Sequence, residues 1–207
     1  MNSQTAVLIL GGGLSSRMGS DKATLPFKGK PLIRWVYDAA RRFTDKIYIS
    51  IHDESSFQRL SNILPPDVRF IYDNEGPRSV MLGLISSLPQ IKEELVLILP
   101  TDSPLVDPAF LTRLAALATE YDAVIPMWPD GRIEAIHAAY RNSTTRVVVS
   151  QLWHNNTLEL HKIPRSLSRV LFVGTETLNH TYSLTNSLID ADTPEELAAL
   201  LSLQTAD

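Results

Sequence analysis

Asp102 follows the apolar run Leu95–Leu99, in the stretch Leu99-Pro-Thr-Asp102-Ser-Pro-Leu. A carboxylate at the carboxyl end of a buried strand offers hard oxygen ligands to a cation such as Mg²⁺. That ion is often held by one or two carboxylates together with phosphate and water oxygens. Three consecutive glycines, Gly11–Gly13, follow a second apolar run, Ala6–Leu10, and Arg17 and Lys22 lie in the loop that continues from them. Glycines let main-chain N–H groups close around phosphate oxygens without a Cβ in the way, and the two cations add charge of the right sign. Asp73 ends a third apolar segment in Ile-Tyr-Asp73, ahead of Glu75-Gly76-Pro77. Together these residues suggest a phosphate ligand on the glycine loop and a cation on the acid. The plain alternatives are a structural turn at the glycines, a turn or cap residue at Asp73, and a cap before Pro104 at Asp102.

Several familiar chemistries are absent. A dinucleotide fingerprint starting at Gly11 and Gly13 would need glycine where Ser16 stands, and a Walker loop would need Gly before Lys22, where Asp21 stands. The five histidines contain no His-Glu-x-x-His pattern, which argues against a zinc site. No Gly-x-Ser-x-Gly elbow occurs, against an α/β-hydrolase. The chain has no cysteine, which excludes disulfides and thiolate chemistry and fits a reducing, cytoplasmic compartment.

The elements that must position these residues alternate. Buried strands are expected at Ala6–Leu10, Lys46–Ile51, Val68–Tyr72 and Leu95–Leu99. Helices are expected at Pro31–Arg42, Ser55–Leu64, Ser79–Leu88 and Asp107–Thr119. That rhythm predicts βαβ units, hence an α/β fold: a mostly parallel, twisted sheet between two helical layers. Past residue 120, strands are expected at Ala123–Pro126 and Ile133–Tyr140, a helix capped by Ser143 over Ser143–His154, and a last helix from Asp192 with a Thr193-to-Glu196 capping box. Residues 155–187 give no clear pattern. One domain over 1–207 is the expected organisation. Trp35, Trp128 and Trp153 are scattered and read as core or edge residues.

The 207 residues carry 19 Lys/Arg against 23 Asp/Glu, a net charge of −4. That excludes a broadly basic nucleic-acid coat protein. The charge is split: residues 1–50 are net +5 and the remainder net −9. The opening residues lack the charged n-region and long apolar core of a signal peptide. No apolar stretch approaches the roughly 18 residues of a membrane helix.

With these residues in view, the chain resembles the molybdenum cofactor guanylyltransferases, nucleotidyltransferases of the GT-A-like, Rossmann-related type. Their opening reads Leu-Ala-Gly-Gly, Ser-Arg-Met-Gly, Asp-Lys and Gly-Lys-Pro-Leu. This chain has Leu10-Gly11-Gly12-Gly13, Ser16-Arg17-Met18-Gly19, Asp21-Lys22 and Gly29-Lys30-Pro31-Leu32. It departs at Gly11, where the family usually has Ala, and at Arg78-Ser79-Val80, where the family often has Leu-Ala-Gly. The resemblance implies transfer of GMP from GTP to the phosphate of a molybdopterin-type cofactor, with release of pyrophosphate and with Mg²⁺ as cofactor. It implies nucleotide contacts at Leu10, Gly11, Gly12, Gly13, Lys22, Ser50, Asp73 and Asp102. Lys22, Arg17 and Asp102 would act on the phosphates, and Asp102 would hold Mg²⁺. Ser50 stands where the family presents an Asn, and its hydroxyl reaches less far.

Asp190-Ala-Asp192 stands where the family commonly has two Asn. Two acids two apart face the same side of an extended chain, and Asp192 is either a second metal ligand or the cap of the last helix. His137 resembles the family's His-Ala-x-Tyr strand and is either a packed residue or an acceptor contact. The resemblance also implies transient contact with other molybdenum cofactor biosynthesis proteins, and no nucleic-acid or membrane partner. The alternatives are a nucleotidyltransferase for another phosphorylated acceptor, cobinamide phosphate or a sugar phosphate, and a non-catalytic GTP-binding module.

Overall fold

The computed structural model describes residues 4–11, 22–179, 184–191 and 196–197. Strand β1 (Thr5–Leu10) is buried on both faces, as expected for a continuous apolar run in the middle of a parallel sheet. Its side chains alternate between two cores. Val7 and Ile9 join one, and Ala6 and Leu8 join the other. A tight hairpin follows, of β2 (Pro26–Phe27) and β3 (Lys30–Pro31). Its two turn residues, Lys28 (φ 47°) and Gly29 (φ 79°), both take the left-handed conformation that a two-residue hairpin turn requires. Helix α1 (Leu32–Phe43) begins directly after Pro31. Then come β4 (Ile47–Ile51), α2 (Glu54–Ser61), β5 (Arg69–Tyr72), α3 (Val80–Ser87), β6 (Leu95–Pro100) and α4 (Pro108–Leu117). Side chains cap three of these helices: Asp53 accepts from Ser56 N, Ser79 from Leu82 N and Asp107 from Ala109 N.

The second half contains β7 (Ala123–Met127), β8 (Ala138–Arg141), α5 (Asn142–His154), α6 (Lys162–Ser166), β9 (Val170–Gly174) and α7 (Thr175–Asn179). The seven-stranded sheet has the order β5-β4-β1-β6-β8-β7-β9. Among the described residues, only β8 runs against its neighbours. Residues of α1, α2 and α4 cover one face through Val36, Tyr37, Ala40, Leu60, Phe110 and Leu114. Residues of α3, α5 and α6 cover the other through Met81, Leu84, Val148, Val149 and Ile163. The expected three-layer α/β/α architecture is present. Among the described residues, no helix is long and apolar enough to cross a membrane.

Several local expectations change. The strand expected at Ile133–Tyr140 is paired only over Ala138–Arg141, while Ile133 makes one isolated bridge to Met127. A turn closes between them, with His137 N–H donating to Glu134 O at 3.3 Å. Ser143 does not cap α5. The helix starts at Asn142, whose side chain donates instead to Ile91 O at 2.8 Å. The helix expected at Ser79–Leu88 runs over Val80–Ser87 with Ser79 as its cap, and Leu88–Gln90 forms a 3₁₀ turn. The stretch 155–187 holds α6, β9 and α7. The edge strand β9 buries only Val173 well and leaves Phe172 exposed, so its apolar pattern is weak.

Candidate functional site

Strands β5, β4, β1 and β6 are mutually parallel, so their carboxyl ends share one edge of the sheet. Chain order reverses at β1. From it the chain moves outward to β4 and β5 on one side and later to β6 on the other. Such a switch point opens a crevice beyond the strand ends, the usual ligand site of an open α/β sheet. Leu10 pairs in register with Ser50 on one side and Pro100 on the other. The next residue, Gly11, donates its N–H to Ser50 O at 2.8 Å. A Cβ on Gly11 would lie 2.8 Å from that same carbonyl oxygen, so the family's usual Ala would fit this chain only if β1 shifted against β4. Gly12, Gly13 and Arg17 lie outside the described residues.

Lys22 opens a 3₁₀ turn, Lys22–Thr24, that carries the chain back to this edge. Its Nζ stands 3.1 Å from Asp102 Oδ2, two residues past β6. Both side chains are mostly buried, at 16% and 13% exposure. Residues 80 apart in sequence thus meet at the mouth of the crevice. Asp102 keeps an oxygen-donor carboxylate beside a cation, an arrangement suited to polyphosphate and a hard metal ion.

On the β4–β5 side, Ser50 Oγ donates to Asp73 Oδ1 at 2.7 Å, and His52 Nδ1 lies 3.5 Å from Asp73 Oδ2. Ser50 is buried, so its hydroxyl serves Asp73. Gly83 of α3 faces both: a Cβ there would meet Ser50 Oγ at 2.9 Å and Asp73 Oδ1 at 3.7 Å. Burial raises the Asp73 pKa above the ordinary carboxylate value, although the Ser50 hydroxyl and His52 work against it. A carboxyl whose folded pKa is raised contributes stability below its ordinary value and loses that contribution as pH rises through the folded value. Asp73→Asn is therefore expected to melt higher than the native chain at pH 7. The gap should close as pH falls toward 3.8, the ordinary Asp value. Melting curves between these limits check this, and a gap independent of pH would refute it.

The second acid beside Asp102 is Asp190. Its Oδ1 accepts from Ser103 Oγ at 2.5 Å and lies 3.3 Å from His137 Nε2. Ser103 Oγ and His137 Nε2 are 2.7 Å apart. Burial acts to raise the Asp190 pKa, but His137, the Ser103 hydroxyl and the nearby Lys22 charge outweigh it and hold the group below the usual carboxylate range. Ala191 N–H donates to Asp102 O at 2.9 Å. Asp190 and Ala191 lie past the last described turn, Leu184–Leu188, outside any strand, so the expected two-residue alternation of Asp190 with Asp192 does not apply. Asp192 itself lies outside the described residues.

Three site contributors were not identified from sequence as such: Ser103, His52 and Gly83. The available signals were a hydroxyl adjoining Asp102, a histidine just past β4 and a small residue inside an apolar helix. None of these points to its partner by local spacing.

A family model, the MobA-like NTP transferase domain, matches residues 7–170. The chain belongs to the MobA-like NTP transferase family. One relative, the probable molybdenum cofactor guanylyltransferase of Methanosarcina mazei, is 29% identical over 140 residues, covering 65% of this chain and 62% of that protein. The chain thus spans about six-tenths of that relative's length. The protein of the same description from Methanothermobacter thermautotrophicus is 27% identical over 172 residues, covering 81% and 86%. Among solved structures, molybdopterin-guanine dinucleotide biosynthesis protein A of Archaeoglobus fulgidus superposes with a TM-score of 0.82, at 22% identity and covering 97% and 98% of the two chains. This MobA-like transferase shares its fold. A 4-diphosphocytidyl-2C-methyl-D-erythritol synthase from Anaerococcus prevotii shares it too, with a TM-score of 0.71 at 13% identity, covering 97% and 96%.

Proposed function

We propose that this chain transfers GMP from GTP to the terminal phosphate of a molybdopterin-type cofactor, forming molybdopterin guanine dinucleotide and pyrophosphate. The observation that carries the reading is the Lys22–Asp102 pair at the switch-point crevice, beside Gly11, in a chain of the NTP transferase family. An acceptor phosphate oxygen attacks the α-phosphorus of GTP. The bond from that phosphorus to the bridging oxygen breaks, and pyrophosphate departs. The attacking group is already anionic, so no side chain need remove a proton. Catalysis is then positioning and charge neutralisation.

Lys22 offsets negative charge on the phosphates, and Arg17 is assigned the same task. Leu10, Gly11, Gly12 and Gly13 are assigned to the phosphate loop; the Gly11 N–H is itself bound to Ser50 O, so Gly11 contributes close approach of the backbone and not a donor. Asp73, oriented by Ser50, takes the nucleoside half.

Asp102 would hold Mg²⁺, with Asp192 as the second ligand. The donor set fits a hard cation: Asp102 presents carboxylate oxygen at 13% exposure. Among the described residues no group of three His, Cys, Asp or Glu is placed to hold a metal ion. A site that draws its remaining oxygens from triphosphate and water has no need of one. When bound, Mg²⁺ supplies charge neutralisation at the phosphates. We place the reaction in the cytoplasm, where transient contact with other cofactor-biosynthesis proteins delivers the acceptor.

The test is product analysis of the purified chain with Mg²⁺, molybdopterin and each α-labelled nucleoside triphosphate. GTP should give labelled dinucleotide and pyrophosphate faster than ATP or CTP. Transfer only to cobinamide phosphate or a sugar phosphate would replace the acceptor, and GTP binding without pyrophosphate release would replace the enzyme reading.

A further inference from the structure

We propose that Ser103, His137 and Asp190 form a buried clamp that positions the Asp102 carboxylate. The three residues come from segments far apart in the chain: the loop after β6, the turn before β8 and the segment after Leu184–Leu188. The Ser103 hydroxyl has one proton, and the 2.5 Å contact gives it to Asp190 Oδ1. Ser103 Oγ can then only accept from His137 at 2.7 Å, so Nε2 carries the imidazole proton. The same Nε2 faces Asp190 at 3.3 Å.

This arrangement is not a nucleophile relay. A relay needs serine on one ring nitrogen and the acid on the other, whereas here both partners share Nε2. The other nitrogen, Nδ1, is buried without a hydrogen-bond partner, 4.0 Å from Glu134 Oε2. The second Glu134 oxygen accepts the Trp128 indole N–H. The His137 ring is fully buried, which keeps it from direct contact with a substrate.

What the cluster grips is the residue pair that includes Asp102. Asp102 O accepts from Ala191 N–H at 2.9 Å, and the adjacent Ser103 Oγ donates to the adjacent Asp190. Two consecutive residues of one segment are thus held by two consecutive residues of another, and His137 closes the third side. Positioning of this kind matters because a displacement of about 1 Å in a reacting constellation can cost on the order of 10²-fold in rate. His137 acts through Ser103 and Asp190, so it is a positioning residue and not a catalytic one.

The test compares the full-length chain with His137→Leu, which removes the donor, and His137→Gln, which returns an amide N–H near the Nε2 position. Nitrogen-15 NMR of the native chain should show the Nε2–H tautomer, and the Ala191 amide should be protected from hydrogen exchange. In His137→Leu that amide should exchange about tenfold faster or more, and kcat should fall about 10–100-fold, the usual range for groups that orient a metal ligand. KM for GTP should stay within about threefold, because the nucleotide half is untouched. His137→Gln should recover most of both losses. If His137→Leu does not fold, Ser103→Ala takes its place, since it removes the bridging hydroxyl and leaves the ring.

An Nδ1–H tautomer, an Ala191 amide as protected in the donor-free variants as in the native chain, or a Gln variant no better than Leu would each overturn the clamp. Only the kinetic arm rests on the proposed nucleotidyl transfer. A native chain that transfers no nucleotide would overturn that reading, while tautomer and exchange still decide the clamp.

Discussion

Replacing Asp102 by alanine is expected to lower kcat by at least about 10³-fold, as expected when a charge-stabilising group is removed from a phosphoryl-transfer site. The chain should stay folded. The segment around Asp102 is held by contacts that the substitution leaves in place: Asp102 O to Ala191 N–H is a main-chain bond, and Ser103 keeps its bond to Asp190. What is lost is the carboxylate at 3.1 Å from Lys22. With that gone, the Lys22 ammonium remains to meet phosphate, so GTP binding should weaken far less than turnover. Added Mg²⁺ should not restore the rate, because the missing group is its ligand and not its charge alone. Asp102→Asn separates the two contributions: it keeps the shape and one oxygen but no charge, and should recover little. Initial rates, Mg²⁺ titrations and melting curves on the three proteins check this. Turnover retained in Asp102→Ala would remove Asp102 from the mechanism.

The parts of this site that were legible in the sequence are those whose chemistry lies at the end of a strand. Asp102 follows Leu95–Pro100 and Asp73 follows Arg69–Tyr72. In a parallel sheet the ends of the apolar runs and the ligand edge are the same place. The alternation of Val7 and Ile9 against Ala6 and Leu8 was hidden, because a strand buried on both faces reads as one apolar run. The β2–β3 hairpin is hidden in the sequence for a different reason. Its strands are two residues long, and only the turn Lys28-Gly29 distinguishes it from loop. The helix starts at Asp107 and Ser79 were readable because an acid or hydroxyl cap precedes the first turn, whereas the Asp53 cap was not, and α2 begins one residue before the expected Ser55. Asn142 broke that rule because its side chain bonds Ile91 O across the fold. The Ser103–His137–Asp190 cluster carried no local signal of its pairing, although His137 and Asp190 each stood out in a motif. Its members are 34 and 87 residues from Ser103, and only the folded sheet brings the β7–β8 turn and the C-terminal segment to the end of β6.

Gly11→Ala is the second change expected to have a large effect, and it acts through packing. The added Cβ would stand 2.8 Å from Ser50 O, 3.1 Å from Ile49 Cγ2 and 3.3 Å from Leu60 Cδ1. A side chain could swing away, but the nearest atom is a main-chain carbonyl of β4. That carbonyl is fixed by the sheet and accepts the Gly11 N–H at 2.8 Å. Relief therefore requires β1 and β4 to part at their carboxyl ends, which strains or breaks that bond in the most buried part of the sheet. Overpacking of this kind costs about 2–3 kcal/mol, which for a chain of this length lowers Tm by roughly 5–10 °C. The same movement shifts the first residue of the glycine loop, so KM for GTP should rise in the fraction that remains folded. Gly174→Ala is the control. Its Cβ would meet only Thr177 Oγ1, at an ordinary 3.7 Å, and a change at such an open position should stay within about 0.5 kcal/mol. Melting curves and nucleotide titrations on both variants decide the matter. A Gly11→Ala chain as stable as Gly174→Ala would mean that β1 and β4 are not held as closely as the 2.8 Å bond requires.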